Sequence, residues 1–257
     1  QLFSKKEKFI RNQRFNSIIN NSDIILLSSK NAQKDFYSFN EKSIKKTKVL
    51  PFVVRFPKNY FLKEKEIKQK YFLPEYFFYL PNQYWIHKNH IVVAKALIEI
   101  KKRGKKVNIL SSGNNYDFRN PNYFKEFYQF LSDNQILDQY KILGNIPHVD
   151  VLSIMNAALA IINPSRFEGW STTVEEAKYL NKGMILSDIP VHREQAHDIT
   201  KFFSTDSHVE LAEILLSDSW IVKFKDNKID KIYDERHKNE FKRYGETFLK
   251  IAYSLVK

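Results

Sequence analysis

The chain of 257 residues contains no cysteine. That absence removes disulfides, thiolate metal sites, cysteine nucleophiles and redox switches together, and it agrees with a reducing cytoplasm. No run of about 18 apolar residues occurs, so the sequence offers no membrane-spanning helix. The amino end, QLFSKKEKFIRNQRF, is basic but has neither an apolar core nor a small-residue cleavage site, and it does not read as a signal peptide. Neither G-x-x-x-x-G-K-[ST] nor G-x-G-x-x-G is present, so ATPase and dinucleotide oxidoreductase readings lose their main support. No block of about five or six like charges marks a nucleic-acid tail.

What is present describes a packed protein. Hydrophobic residues make up 43% of the chain and aromatic ones 15%, with 21 Phe and 14 Tyr, enough for a sizeable core. The formal charge of +13 has two readings. It draws in anionic ligands such as nucleotides or phospholipid surfaces, or it reflects a lysine surplus spread over the whole surface. The sequence opens without methionine and enters mid-pattern, as expected of a segment of something longer.

Read along its length, the chain alternates apolar strands with amphipathic helices. A helix is predicted over residues 5–19, strands over 22–29 and 48–54, and a helix over 31–39 between them, the grammar of a βαβ unit. The charged stretch from Pro57 to Pro74 reads as a linker with a helix inside. A second series follows, with strands over 76–80, 106–113, 140–146, 159–164, 183–188 and 200–204. Helices are expected over 91–103, 122–134 and 149–157, to Asn181 and around Arg193, and an amphipathic helix over 235–257 ends the chain. Such alternation predicts a parallel sheet covered on both faces, with ligands beyond the carboxyl ends of its strands.

The stretch NPSRFEGWSTTVEEA, residues Asn163–Ala177, follows one of these strands and opens a helix. A helix amino terminus presents unpaired amides and partial positive charge, so phosphate is the expected guest. Gly169 lets a backbone approach closely, and Ser171, Thr172 and Thr173 can cap the helix or donate to oxygens. Two carboxylates facing a diphosphate would repel it. Glu168 and Glu176 are therefore better aimed past it at neutral hydroxyls, a sugar on one side and a ribose on the other. The competing reading is that Glu175 and Glu176 simply decorate a helix first turn. His87 and His90 lie three apart without a nearby carboxylate, and no metal site is assigned to them.

PSRFEGWSTTVEEA followed by GMILSDIPVHRE resembles the donor-site signature of retaining, family 4 (group 1) type glycosyltransferases of GT-B fold: Pro-Ser, Glu-Gly, and a second Glu after seven intervening residues. LPNQYWIHKNH resembles the same family's first donor-domain loop, and LGNIPHVDVLSIMNAALAIINPSRFEG its middle segment. The resemblance runs from about Tyr76 to His197. It implies that Glu176 holds ribose hydroxyls of a nucleotide, Glu168 contacts the donor sugar, and Lys88 pairs with the diphosphate. Glu168 and Lys88 are thus the catalytic candidates, Lys88 because a cation there stabilises the departing diphosphate without a metal. Amides around Gly169, Trp170, Ser171 and Thr172 would serve the sugar or diphosphate, and Asn82, Gln83 and Ile146 complete the implied donor-binding set. Many relatives carry an Arg where this chain has Asn82 and Gln83, which makes phosphate neutralisation weaker or shares it with Arg166 or Arg193.

The resemblance therefore implies an α/β fold, a Rossmann-like parallel sheet with helices on both faces. Residues 1–56 would be the end of an amino-terminal acceptor domain, 57–74 a linker, 75–234 the nucleotide-sugar donor domain and 235–257 a carboxyl-terminal helix. The implied reaction moves a sugar from a UDP- or GDP-sugar to a hydroxyl of a glycan or lipid-linked acceptor with retention, in surface glycan or lipopolysaccharide assembly. The nucleotide-sugar is a substrate, and no cofactor, metal or nucleic acid is expected. A cytoplasmic location follows, with Lys5, Lys6, Lys8, Arg11 and Arg14 offering a peripheral membrane contact. Two other readings stand beside it: a non-catalytic nucleotide-sugar or nucleic-acid binding module, and a sugar-nucleotide epimerase.

Overall fold

The computed structural model describes residues 4–57, 60–220 and 231–256. Two compact units result, one from residues 1–54 with 234–257 and one from residues 55–233.

The smaller unit begins with α1 (Lys5–Asn21), started by a capping box in which Ser4 and Glu7 satisfy each other's amides. Strands β1 (Ile25–Leu27) and β2 (Thr47–Val49) pair in parallel, with Ile25 opposite Thr47. The crossover contains α2 (Lys30–Phe39), capped by the Ser29 hydroxyl on the Ala32 amide. Rings of Phe15, Phe36 and Phe39 pack edge-on or tilted within 6.3 Å, joining α1 to α2. The expected strand to Val54 stops at Val49 because Pro51 has no amide for the ladder.

The larger unit is the one that matters for a ligand. Its strands β3 (Phe78–Leu80), β4 (Ile109–Ser111), β5 (Tyr140–Ile142), β6 (Ala160–Asn163), β7 (Gly183–Ser187) and β8 (Thr200–Phe203) form one parallel six-stranded sheet. Their order is β5-β4-β3-β6-β7-β8. Helices α3 (Glu64–Tyr71), α4 (His90–Lys102), α5 (Tyr123–Asp133), α6 (His148–Ala157), α7 (Thr172–Tyr179), α8 (Pro190–Gln195) and α9 (His208–Leu215) connect and cover it. The α/β class with a Rossmann-like parallel sheet is therefore the observed one.

Strand residues alternate between two cores. Phe78 and Leu80 join Val93, Leu97 and Ile100 of α4 and Leu211 and Leu215 of α9 on one face. Tyr79 faces the other way, among Leu152, Ile154 and Met155 of α6 and Val174 and Ala177 of α7. Because both faces are covered, every position of the central strands β3, β4, β6 and β7 is buried, which is why these strands read as continuous apolar runs.

The stretch 57–74, read as a linker with a helix inside, does contain a helix, α3, and its Ile67 is fully buried in the second of these cores. Packing thus makes α3 part of the larger unit. Helix α9 has no counterpart in the sequence reading. The last helix, α10, spans Lys231–Tyr253, and along its expected apolar stripe Phe241, Phe248 and Leu255 stay largely exposed.

Candidate functional site

The sheet order places β3 beside β6 at the centre, with β4 and β7 leading away on opposite sides. This is a topological switch point, where connections diverge and leave a crevice beyond the strand ends. Asn163, the last residue of β6, is fully buried there. It accepts from Asn82 Nδ2 at 3.1 Å and from the Ser165 hydroxyl at 2.8 Å, and its own Nδ2 donates to Ser171 Oγ at 2.9 Å. One buried amide therefore ties together the loop after β3, the turn after β6 and the cap of α7. Thr173 adds a bond to the Pro81 carbonyl at 3.4 Å.

Lys88 closes a 3-10 turn, Ile86–Lys88, just ahead of α4, and Asn89 takes the left-handed conformation that lets the helix start. The Lys88 ammonium donates to Glu168 Oε1 at 2.6 Å, and Ser165 Oγ lies 2.7 Å from the same oxygen. Both side chains are nearly enclosed, 13% and 10% exposed, which strengthens their attraction. Burial alone would push the Glu168 carboxyl up. The Lys88 charge and hydrogen bond, with the Ser165 hydroxyl, overcome it and hold the group below its ordinary value.

Helix α7 is capped by Ser171, whose hydroxyl accepts the Val174 amide. Gln195 of α8 reaches back to the same residue. Its Oε1 accepts the Ser171 amide at 2.9 Å, and its Nε2 donates to the Ser171 carbonyl at 3.1 Å and to Glu175 Oε1 at 2.9 Å. The turn Ser165–Ser171, which carries Glu168, is thereby pinned at both ends. Glu176 is 6% exposed and accepts from His148 Nε2 at 2.8 Å. Burial pushes its carboxyl up, and the histidine only partly offsets this.

The structure sorts the expected site residues. Lys88 and Glu168 are brought together directly, and Glu176 sits one turn into α7. Thr172, exposed at the first position of α7, has an amide with no intrahelical partner, as first-turn amides do. Ser171 is different: its amide serves Gln195 and its hydroxyl caps the helix, so it builds the turn and has no amide left for a ligand. Gly169 is exposed, and a Cβ there would meet nothing within 4 Å. The fold itself does not require glycine at that place. Trp170 is half-buried beside it, and Ile146 is half-buried in the core beside α6.

Asn82 and Gln83 are held by the protein: Asn82 bonds Asn163, and Gln83 Oε1 accepts the Asn114 amide at 2.6 Å. The two arginines offered beside Lys88 are each ion-paired at the surface in this structure. Arg166 grips Asp206 Oδ1 at 2.7 and 3.0 Å, and Arg193 holds both Asp188 oxygens at 2.7 Å while lying over the Phe202 ring. Among the described residues no three His, Asp or Glu side chains are grouped to hold a metal. His90 cannot join His87 in one, because its ring is buried against Tyr84 and bonds the Tyr140 hydroxyl and the Gln83 carbonyl. Asn163, Ser165 and Gln195 escaped the sequence reading. Only Asn163 carried a signal, as the polar end of an apolar run.

The family described as glycosyl transferases group 1 matches residues 63–218, the segment that contains every side chain of this cluster. No curated protein sequence matches significantly. Among solved structures, sucrose-phosphate synthase from Thermosynechococcus elongatus superposes with a TM-score of 0.76 at 16% identity, covering 98% of this chain and 64% of that one. A glycosyltransferase from Rickettsia africae gives 0.75 at 19% identity, covering 100% and 69%. Anabaena HepE, solved in complex with UDP-glucose, gives 0.74 at 15% identity, covering 97% and 70%. At such identities the likeness is one of fold, and the chain spans about two thirds of each neighbour's length.

Proposed function

We propose, from the premise that this chain belongs to the glycosyl transferases group 1 family, that it binds a nucleoside-diphosphate sugar at the β3–β6 switch point and serves transfer of that sugar to a hydroxyl acceptor. The transfer retains anomeric configuration, as the resemblance to family 4 implies. One observation carries the reading: two largely enclosed glutamates, Glu168 and Glu176, flank the start of α7, and each is already matched by a basic side chain from a different strand-end loop.

In this reading the diphosphate lies at the α7 amino terminus, where the first-turn amides and the helix dipole favour it. Lys88 turns from Glu168 toward the phosphates and stabilises the charge that develops as the sugar–phosphate bond breaks, so no metal is required. Glu168, released from its partner, accepts a hydroxyl of the donor sugar, and Glu176 accepts from the ribose. Gly169 leaves room for close approach. The donor is a UDP- or GDP-sugar, and the UDP-glucose held by HepE favours the former. Positioning and leaving-group stabilisation are the protein's contribution.

The acceptor is a glycan or lipid-linked hydroxyl in surface polysaccharide assembly. Among the described residues no helix is long and apolar enough to cross a membrane. Helix α1, however, exposes Phe9 and Ile10 among Lys5, Lys6, Lys8, Arg11 and Arg14, a composition suited to an anionic bilayer surface. Charge reversal at those five positions is expected to abolish binding to anionic liposomes, and unchanged binding would remove the membrane contact from this reading.

Calorimetric titration with UDP and GDP tests the donor site. Saturable binding of one nucleotide, weakened by both Glu176→Ala and Lys88→Ala, is the expected result. Binding of neither nucleotide by the folded chain, or binding that both variants leave unchanged, would overturn it.

A further inference from the structure

Glu176 does not face the crevice alone. His148 opens α6, and its Nε2 donates to Glu176 Oε1 at 2.8 Å. The imidazole is in turn fixed from its other side. Its ring tilts against Phe56 at 5.7 Å and Tyr60 at 6.3 Å, and those two rings stack on each other at 5.7 Å with 18° between planes. Phe56 is anchored to α7 itself, because the Tyr179 hydroxyl donates to its carbonyl at 3.0 Å and the Tyr179 ring meets it edge-on at 5.1 Å. The segment ahead of α3 is also tied to α6 by the Leu62 amide, which donates to Ser153 Oγ at 3.0 Å. Three pieces of chain far apart in sequence thus converge on one imidazole, and that imidazole touches one carboxylate oxygen.

A carboxylate on two methylenes has free rotors, and a carboxylate meant to read a diol must present its oxygens in one orientation. The His148 bond fixes Oε1 and so determines where Oε2 points. A histidine needed only to satisfy a buried acid would require no aromatic clamp behind it. We propose that His148 is a positioning residue for Glu176, orienting its carboxylate on the ribose diol, so that His148 with Phe56 and Tyr60 sets the preference for ribonucleotides over deoxyribonucleotides. This rests on the reading that Glu176 holds the ribose.

The ratio of affinities for a nucleoside diphosphate and its 2′-deoxy form reports that orientation, and a general loss of stability does not move it. Calorimetry on the full chain would use UDP, GDP, dUDP and dGDP, with wild type, His148→Ala, His148→Gln, Phe56→Leu and Glu176→Ala, each checked for native circular dichroism. His148→Ala is expected to lower the ribo-to-deoxy ratio about two- to tenfold, the effect of losing one orienting hydrogen bond. His148→Gln, whose amide can still donate, should recover part of it, and Phe56→Leu should give an intermediate ratio. A His148→Ala ratio equal to wild type, while Glu176→Ala abolishes discrimination, overturns the role of His148 and leaves the ribose reading intact. Discrimination that survives Glu176→Ala, or wild-type protein that binds no nucleotide, overturns the ribose reading and this inference with it.

Discussion

The Lys88 ammonium lies 2.6 Å from Glu168 Oε1, across 80 residues of sequence. The pair joins the loop after β3 to the turn after β6, the two strands that flank the switch point. Two groups proposed to serve a ligand thus serve each other in this structure. Neither is left buried and unpaired, and under the proposed function a diphosphate would compete with Glu168 for the cation. The cost of parting them is charged against ligand affinity, which favours ligands carrying more than one negative charge.

Breaking that pair from one side should be costly. Lys88→Met leaves a nearly enclosed carboxylate without its cation, and removal of one partner of a buried pair costs about 3 kcal/mol. Adding Glu168→Gln should restore most of the loss, because the remaining amide can still accept from Ser165. Urea unfolding of the single and double variants checks this. A double variant as unstable as the single one would show that the destabilisation has another source.

Gln195 should matter more than its place on a short helix suggests. Gln195→Leu removes a partner from the Ser171 amide and carbonyl and from one Glu175 oxygen. The Ser171 carbonyl keeps the Glu175 amide and Glu175 Oε1 keeps Lys178, so the Ser171 amide is the group left unsatisfied, at a cost of about 1–3 kcal/mol. Nucleotide affinity should fall as well, because the turn carrying Glu168 loses its anchor. A variant with wild-type stability and affinity would remove Gln195 from the architecture of the site.

The order of strands and helices in the larger unit was legible because a sheet covered on both faces leaves continuous apolar runs such as those of β6 and β7. Strand ends were not. Apolar residues run on past the last ladder bond, so KVLPFVV read as one strand although Pro51 stops the pairing. Helix α9 was missed because Val209, Leu211, Ala212, Ile214 and Leu215 crowd its eight residues and blur the helical period. Of the site, the glutamates and Lys88 stood out by motif. The amide of Gln195 did not, because a side chain that bonds a distant backbone leaves no period and no composition signal. The pairing of Arg166 was hidden by distance too, since Asp206 lies 40 residues away in sequence.

Gly113 is a second test of how the strand-end loops are fitted. Its φ is +146°, and a Cβ there would stand 2.5 Å from the Asn82 carbonyl oxygen and 2.9 Å from the Gln83 amide nitrogen. Both are backbone atoms, so nothing flexible can yield. Gly113→Ala should cost about 3 kcal/mol or more through strain and displacement of the loop after β3, and weaken nucleotide binding with it. Gly104, with φ +67° and nothing within 4 Å of a Cβ, is the control. Its alanine variant should lose only about 1 kcal/mol and bind normally. Equal losses at the two positions would mean that close approach does not matter at Gly113.

Acid should destabilise the larger unit well before its carboxylates titrate. Burial pushes His90 down to about 3 and His87 to about 4, and it also lowers His192. All three depart from an ordinary value of 6.5, so the unfolded chain takes up protons that the folded chain refuses. Stability from this source is complete above pH 6.5 and is lost progressively as pH falls toward the folded values. Glu168, held below its ordinary 4.5, adds a loss only below that pH, whereas Glu176, raised above it, contributes in the opposite sense. Between about pH 6.5 and 5 the histidines therefore set the slope. Tm is expected to fall steadily through that window. His87 is the residue to change, because among the described residues no hydrogen bond holds its ring and its neighbour there is Trp85, at 5.6 Å. His87→Leu keeps an apolar side chain against that ring while removing the proton site, so its Tm should fall less steeply than that of wild type. Identical slopes for the two proteins would show that His87 takes up its proton as readily in the folded chain as in the unfolded one.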